Sequence, residues 1–222
     1  MSMLYLIRHG QASAGTHDYD RLSPVGRHQA QLLGQWWTEQ GFTPDKTFHG
    51  SLLRQQDTAK LAMSAIDPDH QSTEHAGLNE YDHRVIDSVF GAGAISDDAE
   101  SMTFEQYAET MQRWKNGQTH ERSGEAEPWS EFAGRGWQTV SNFHKSSNDA
   151  QNLAFFTSGG VIATLLSTVL NLDFTHTIDI IWRIRNASIT TLHYDGQQAR
   201  LVDFNTVPHL QEQKDPSLIT LI

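Results

Sequence analysis

Three places in the sequence bring together residue types that can handle an anion, and a fourth presents an acid. The apolar run Leu4-Tyr5-Leu6-Ile7 leads straight into Arg8-His9-Gly10, so a buried strand ends in a cation, an imidazole and a glycine that lets the backbone turn sharply. Ligands of open α/β sheets bind beyond the carboxyl ends of the strands, which is where these side chains would emerge. Arg54 falls in the first turn of a helical pattern. A cation there is disfavoured by the helix dipole unless an anion offsets both. Thr157-Ser158-Gly159-Gly160 joins one apolar run to another, so its glycines sit at a strand-to-helix turn whose free N–H groups make an anion site. Glu80 closes the segment Leu78-Asn79-Glu80, read as the exit of another strand.

Each feature alone has a plain structural explanation. His9 beside Arg8 fits a surface histidine with a paired arginine, Arg54 fits an arginine reaching back to a carboxylate, and Glu80 fits a solvated acid. A lone Gly-Gly turn is common without any ligand. Placed on the same side of one sheet, the features fit a phosphate pocket better than independent surface accidents.

The elements needed to position them follow from periodicity and punctuation. Residues 11–21 are polar and form a loop over the first strand end, holding Ala12 and Gly15. Ser23-Pro24 caps a helix carrying Val25, Gln29, Leu32, Leu33 and Trp36 at helical spacing until Gly41. A short strand is expected over 47–51, a helix over 52–66 before Pro68, and a strand over 72–80. The character changes over 81–128, read as a lid-like insertion. It holds an acidic run at 97–100, a Thr103/Gln106 capping box and an apolar stripe of Phe104, Tyr107, Met111 and Trp114. That stripe is the pattern of core packing, although a lid could use it to shape a pocket. A helix over 130–144 and a buried parallel strand over 153–156 come next. Residues 178–185 alternate apolar and polar and, with a hairpin of 186–194 and 199–204 turning at Asp195-Gly196, close the sheet. From Asn205 the chain reads as a tail. The fold class expected is three-layer α/β/α with a mostly parallel central sheet and a helical and loop insertion, in a single domain over 1–222.

Composition narrows the function classes. The 222 residues carry a formal charge of −11 with scattered Lys and Arg, which argues against nucleic acid or an anionic membrane as partner. There is no cysteine, so disulfides, thiolate catalysis and Cys-based zinc sites are excluded. The N-terminal apolar run is too short for a secretory leader, and no stretch approaches the roughly 18 apolar residues of a membrane span. A cytoplasmic protein is expected; the oligomeric state stays open.

The motifs resemble the histidine phosphatase superfamily, also called phosphoglycerate mutase-like. The likeness rests on Leu6-Ile7-Arg8-His9-Gly10, Leu22-Ser23-Pro24-Val25-Gly26 with Gln29-Ala30, Leu52-Leu53-Arg54 with Thr58-Ala59, Leu78-Asn79-Glu80 and Ser158-Gly159-Gly160-Val161-Ile162. It continues through Asn186-Ala187-Ser188-Ile189-Thr190 to Asn205 and His209-Leu210. The resemblance implies that His9 takes a phosphoryl group, that Arg8 and Arg54 hold its oxygens together with Ser158 and Gly159, and that Glu80 donates the proton. It implies no metal and no other cofactor. A small-molecule or protein phosphoester would be the substrate.

Two departures qualify that reading. The family usually places a second histidine before the Gly-Gly turn, where this chain has Ser158; His83 in the insertion is the first candidate to make up for it. Ala12 and Gly15 stand where mutase-type members typically carry a small hydroxyl residue and an Asn, and the extended mutase motif after Glu80 is missing. The leading expectation is therefore a metal-independent phosphohydrolase working through a phosphohistidine at His9, with activity reduced by Ser158. A non-catalytic phospho-ligand binding or regulatory module on the same fold comes second, and a phosphoglycerate-type mutase third.

Overall fold

The structure is a computed structural model and describes residues 1–13, 20–91, 102–117, 123–147 and 150–221. Gly15 and the acidic run at 97–100 lie outside them. The first strand, β1 (Ser2–Arg8), is the middle of the sheet. On one side it pairs in parallel with β4 (Asn152–Thr157), and on the other antiparallel with β5 (Ile189–Tyr194). Parallel strands β2 (Lys46–His49) and β3 (Thr73–Glu74) extend the β4 side, and antiparallel β6 (Ala199–Thr206) extends the other, giving the order β3-β2-β4-β1-β5-β6. The register sets Arg8 opposite Thr157, so the chains beyond them, His9 and Ser158, leave the sheet side by side.

Strand pleating sends alternate side chains to two helical layers. Leu4, Leu6, Leu153 and Phe155 join one buried cluster, and Ile7, Ala154 and Phe156 join the other. The second cluster is completed by α1 (Pro24–Glu39) and α2 (Leu53–Ser64), through Leu33, Trp37, Ala59, Ala62 and Met63. Ser23 caps α1 by accepting from the Gly26 N–H. The first cluster packs under α3 (His83–Phe90), α4 (Phe104–Lys115), α5 (Trp129–Ser146), α6 (Gly159–Leu170) and α7 (Phe174–Arg183). The Thr103/Gln106 capping box opens α4, whose Met111 and Trp114 are buried, so much of the apolar stripe is core.

Three expectations are corrected. Over 72–80 only β3 is strand; a 3-10 turn, Ala76–Leu78, follows, so Glu80 leaves a tight turn and not a strand. His75 caps that turn by accepting from the Gly77 N–H, a local bond that competes with strand extension. Over 178–185 the chain is mostly α7, started by Asp173, whose side chain accepts from the His176 N–H. The apolar residues at 178, 180, 182 and 184 suit a strand and those at 174, 178 and 181 a helix, and packing over the sheet decides for the helix. The tail beyond Asn205 is likewise ordered: α8 (Pro208–Gln211) buries His209, and its Leu210 packs with Leu32 of α1 and Leu218.

Candidate active site

His9 is 4% exposed, and both ring nitrogens are engaged. Nδ1 lies 2.7 Å from the Gly10 carbonyl, an acceptor that fixes the ring proton on Nδ1. Nε2 then carries the lone pair, and it accepts from Arg54 Nε–H across 3.2 Å. Burial foremost, then the guanidinium groups of Arg54 and Arg8, holds the His9 pKa well below that of a free imidazole, so the ring is neutral near pH 7. A buried neutral imidazole with a directed lone pair is a nucleophile in waiting.

The main chain around His9 is pinned from several sides. Its N–H donates to Thr157 O at 2.9 Å, and its carbonyl accepts from Ala187 N–H at 3.1 Å. Gly10 N–H donates to Thr58 Oγ1 on α2 at 3.1 Å. A Cβ on Gly10 would overlap the Gly26 carbonyl, so only glycine lets the strand end lie on the start of α1. Gln29 ties the next residue down: Oε1 accepts from Gln11 N–H, while Nε2 donates to Leu218 O and Thr220 Oγ1.

Arg54 satisfies both sequence readings at once. Its Nε reaches His9, and its Nη1 holds Asp20 Oδ1 at 2.7 Å. The other oxygen of Asp20 accepts from Leu53 N–H at 2.9 Å, serving the start of α2, whose N-cap residue Leu52 offers no side-chain bond. Asp20 thus offsets the cation placed against the helix dipole. Arg8 is held by backbone: Nη1 donates to the carbonyls of Ile184 and Leu221.

Glu80 enters from the opposite wall. Its Oε2 accepts from Gly160 N–H at 2.9 Å, and Oε1 accepts from Tyr81 N–H at 3.3 Å. Burial raises its pKa above the ordinary glutamate value, against the bond from Gly160 and the fields of Arg54 and Arg8. A Cβ at Gly160 would overlap Glu80 Oε1, so this glycine makes room for the acid. Gly159 lies near Arg8, with the position of a Cβ there 3.7 Å from Arg8 Nε. Ser158 is fully buried, and its Oγ accepts from Gln55 Nε2 at 2.8 Å. His83 is the first residue of α3 and half-buried, with its pKa lowered mainly by burial and in part by the charge of Arg54.

The six residues picked out by the sequence, Arg8, His9, Arg54, Glu80, Ser158 and Gly159, therefore converge where β1, α2, β4 and α6 meet the turn after β3. Three supporting residues were missed. Asp20 signals itself only as an acid in a polar loop. Gln55, next to Arg54, gives no signal until its distant partners are known. Arg135 on α5 holds the backbone that leads to Glu80: Nη1 donates to Gly77 O and Asn79 O, and its fork clasps Glu127. Beside this arginine Glu80 also borders a cavity of about 510 Å³ lined by Asn79, Tyr81, Asp82 and Val85.

The model of the histidine phosphatase superfamily (branch 1) matches residues 4–207. The chain belongs to this superfamily. Membership supports an enzyme of the class that hydrolyses phosphoric esters. Histidine phosphatase relatives include a curated protein described as the mitochondrial serine/threonine-protein phosphatase Pgam5 of Drosophila grimshawi, 35% identical over 74 residues. That match takes in 32% of this chain and spans 26% of the length of the relative. Among solved structures, phosphoglycerate mutase from Bacillus anthracis superposes with a TM-score of 0.67 at 17% identity, covering 96% of this chain and 97% of its own. A mycobacterial glucosyl-3-phosphoglycerate phosphatase in complex with inorganic phosphate reaches 0.68 at 19% identity, covering 94% and 99%. The phosphoglycerate mutase-like α/β fold is thereby shown. Among the described residues no helix is long and apolar enough to cross a membrane.

Proposed function

We propose that this chain hydrolyses phosphomonoesters through a phosphohistidine at His9. The observation that carries the reading is the neutral, buried imidazole whose Nε2 lone pair is directed at Arg54 while Nδ1–H is anchored on Gly10 O. An arriving phosphoryl group takes over the Arg54 Nε–H, which frees Nε2 for in-line attack. The P–N bond forms as the ester P–O bond breaks, and the Glu80 carboxyl proton passes to the departing oxygen. Arg8, Arg54 and the Gly159 N–H at the start of α6 offset the charge on the non-bridging oxygens. In the second step the Glu80 carboxylate takes a proton from water, the water oxygen bonds to phosphorus, and the P–N electron pair returns to Nε2.

The described helices of the 81–128 insertion, α3 and α4, would read the leaving group. Tyr107 of α4 meets Tyr81 hydroxyl to hydroxyl at 3.1 Å, beside the acid. The substrate is a small-molecule or protein phosphoester; neither a metal nor another cofactor enters the chemistry proposed.

The non-catalytic alternative draws on Ser158, a neutral side chain where a cation would assist transfer. Release of phosphate from 4-nitrophenyl phosphate separates the two readings. The enzyme reading expects turnover by the wild type and its loss in His9→Ala. Turnover unchanged in His9→Ala removes His9 from the mechanism, and a wild type that binds phosphate without turnover supports the binder.

A further inference from the structure

The amide of Gln55 is 0% exposed and its orientation is fixed by its neighbours. Nε2 donates to Leu78 O at 2.9 Å and to Ser158 Oγ at 2.8 Å. Turning the amide over would set its oxygen against Leu78 O, which already accepts from Thr157 Oγ1 at 2.6 Å. Two acceptors would then face each other, so the nitrogen side must point to Ser158. The serine oxygen is an acceptor in this contact, and its own proton is turned away from Gln55. Among the described residues the Ser158 hydroxyl has no recorded acceptor of its own.

Ser158 follows Thr157, whose carbonyl accepts the His9 N–H at 2.9 Å, and Thr157 pairs with Arg8 in parallel register. Ser158 and His9 therefore leave the sheet on neighbouring strands. A hydroxyl that accepts one hydrogen bond donates the next more strongly, by about 10–30%.

We propose that Gln55 is a positioning residue that holds Ser158 Oγ as an acceptor, so that the serine O–H is delivered to a non-bridging oxygen of the phosphoryl group at His9. The pair supplies the donor that a histidine at position 158 would provide. This inference rests on the phosphohistidine reading.

A double-mutant cycle on kcat for 4-nitrophenyl phosphate tests it, with Ser158→Ala, Gln55→Met and the double variant, and melting temperatures measured alongside. Ser158→Ala is expected to lower kcat by roughly a hundredfold, the scale of losing one oxyanion donor. Gln55→Met is expected to lower kcat about tenfold with KM nearly unchanged, since the donor remains but loses its alignment. In the Ser158→Ala background the same change should cost less than about twofold. Equal costs of Gln55→Met in both backgrounds, or an unchanged kcat in Ser158→Ala, overturn the proposal. If Gln55→Met does not fold, Gln55→Asn takes its place, because it withdraws the amide by one methylene and keeps its polarity. His9→Ala serves as the reference: retained activity there overturns the phosphohistidine reading too, whereas lost activity with independent effects at 55 and 158 overturns the pair alone.

Discussion

The Nε–H of Arg54 points at Nε2 of His9 across 3.2 Å, while the same guanidinium grips Asp20 through Nη1 at 2.7 Å. A planar fork can serve both partners because its donors diverge; a lysine ammonium is a single point of charge. Arg54→Lys should therefore lower kcat/KM by about a hundredfold or more, even though the formal charge is kept. Steady-state kinetics on an aryl phosphate check this. Activity within threefold of wild type would mean that charge alone matters at position 54.

Glu80 and His9 are shifted toward each other. Burial raises the acid above the usual carboxylate range and, with the two arginines, lowers the imidazole well below its own. Transfer needs His9 neutral and Glu80 protonated. The rate rises as pH climbs past the lowered His9 value and falls as Glu80 loses its proton, so the profile is bell-shaped with its optimum between the two. In Glu80→Gln the falling limb should vanish. Its phosphoryl-transfer step, read as the single-turnover release of the leaving group, should slow about a hundredfold for phenyl phosphate and far less for 4-nitrophenyl phosphate, whose leaving group needs no proton. A pH profile unchanged by Glu80→Gln would assign the limb to another group.

How much of this site is legible in the sequence depends on how locally each residue is determined. Arg8-His9-Gly10 can be read because an apolar run must stop somewhere, and the residues at its stop are displayed. Ser158-Gly159-Gly160 can be read for the same reason, from the apolar runs on both sides. Glu80 is legible as a residue and misread in context, since the His75 cap that curls the chain into a 3-10 turn is one side chain's choice. Residues 178–185 are misread because their apolar spacing fits both periods, and only docking against the sheet separates them. Asp20, Gln55 and Arg135 act through partners up to 103 positions away, and no pattern within the chain marks such contacts.

Acid stability carries a separate prediction. His209 is buried with its ring 6.4 Å from that of Trp36, and neither imidazole nitrogen has a hydrogen-bond partner among the described residues. Burial holds its pKa down to about 3, against 6.5 for a free side chain. Because the unfolded chain binds this proton more readily, the contribution is complete above about pH 6.5 and is lost as pH falls toward 3. The full loss is on the order of 4–5 kcal/mol. His209→Leu should flatten the fall in melting temperature between pH 7 and pH 4 relative to wild type. Parallel curves for the two proteins would contradict the assignment.

The central claim is a covalent bond between phosphorus and His9 Nε2, and rapid-quench labelling reads it directly. Wild-type protein mixed with a ³²P-labelled phosphodonor and quenched in alkali, where phosphohistidine survives, should carry label on the peptide containing His9, with none in His9→Ala. Label absent from the wild type under turnover, or present to the same extent in His9→Ala, would contradict the mechanism.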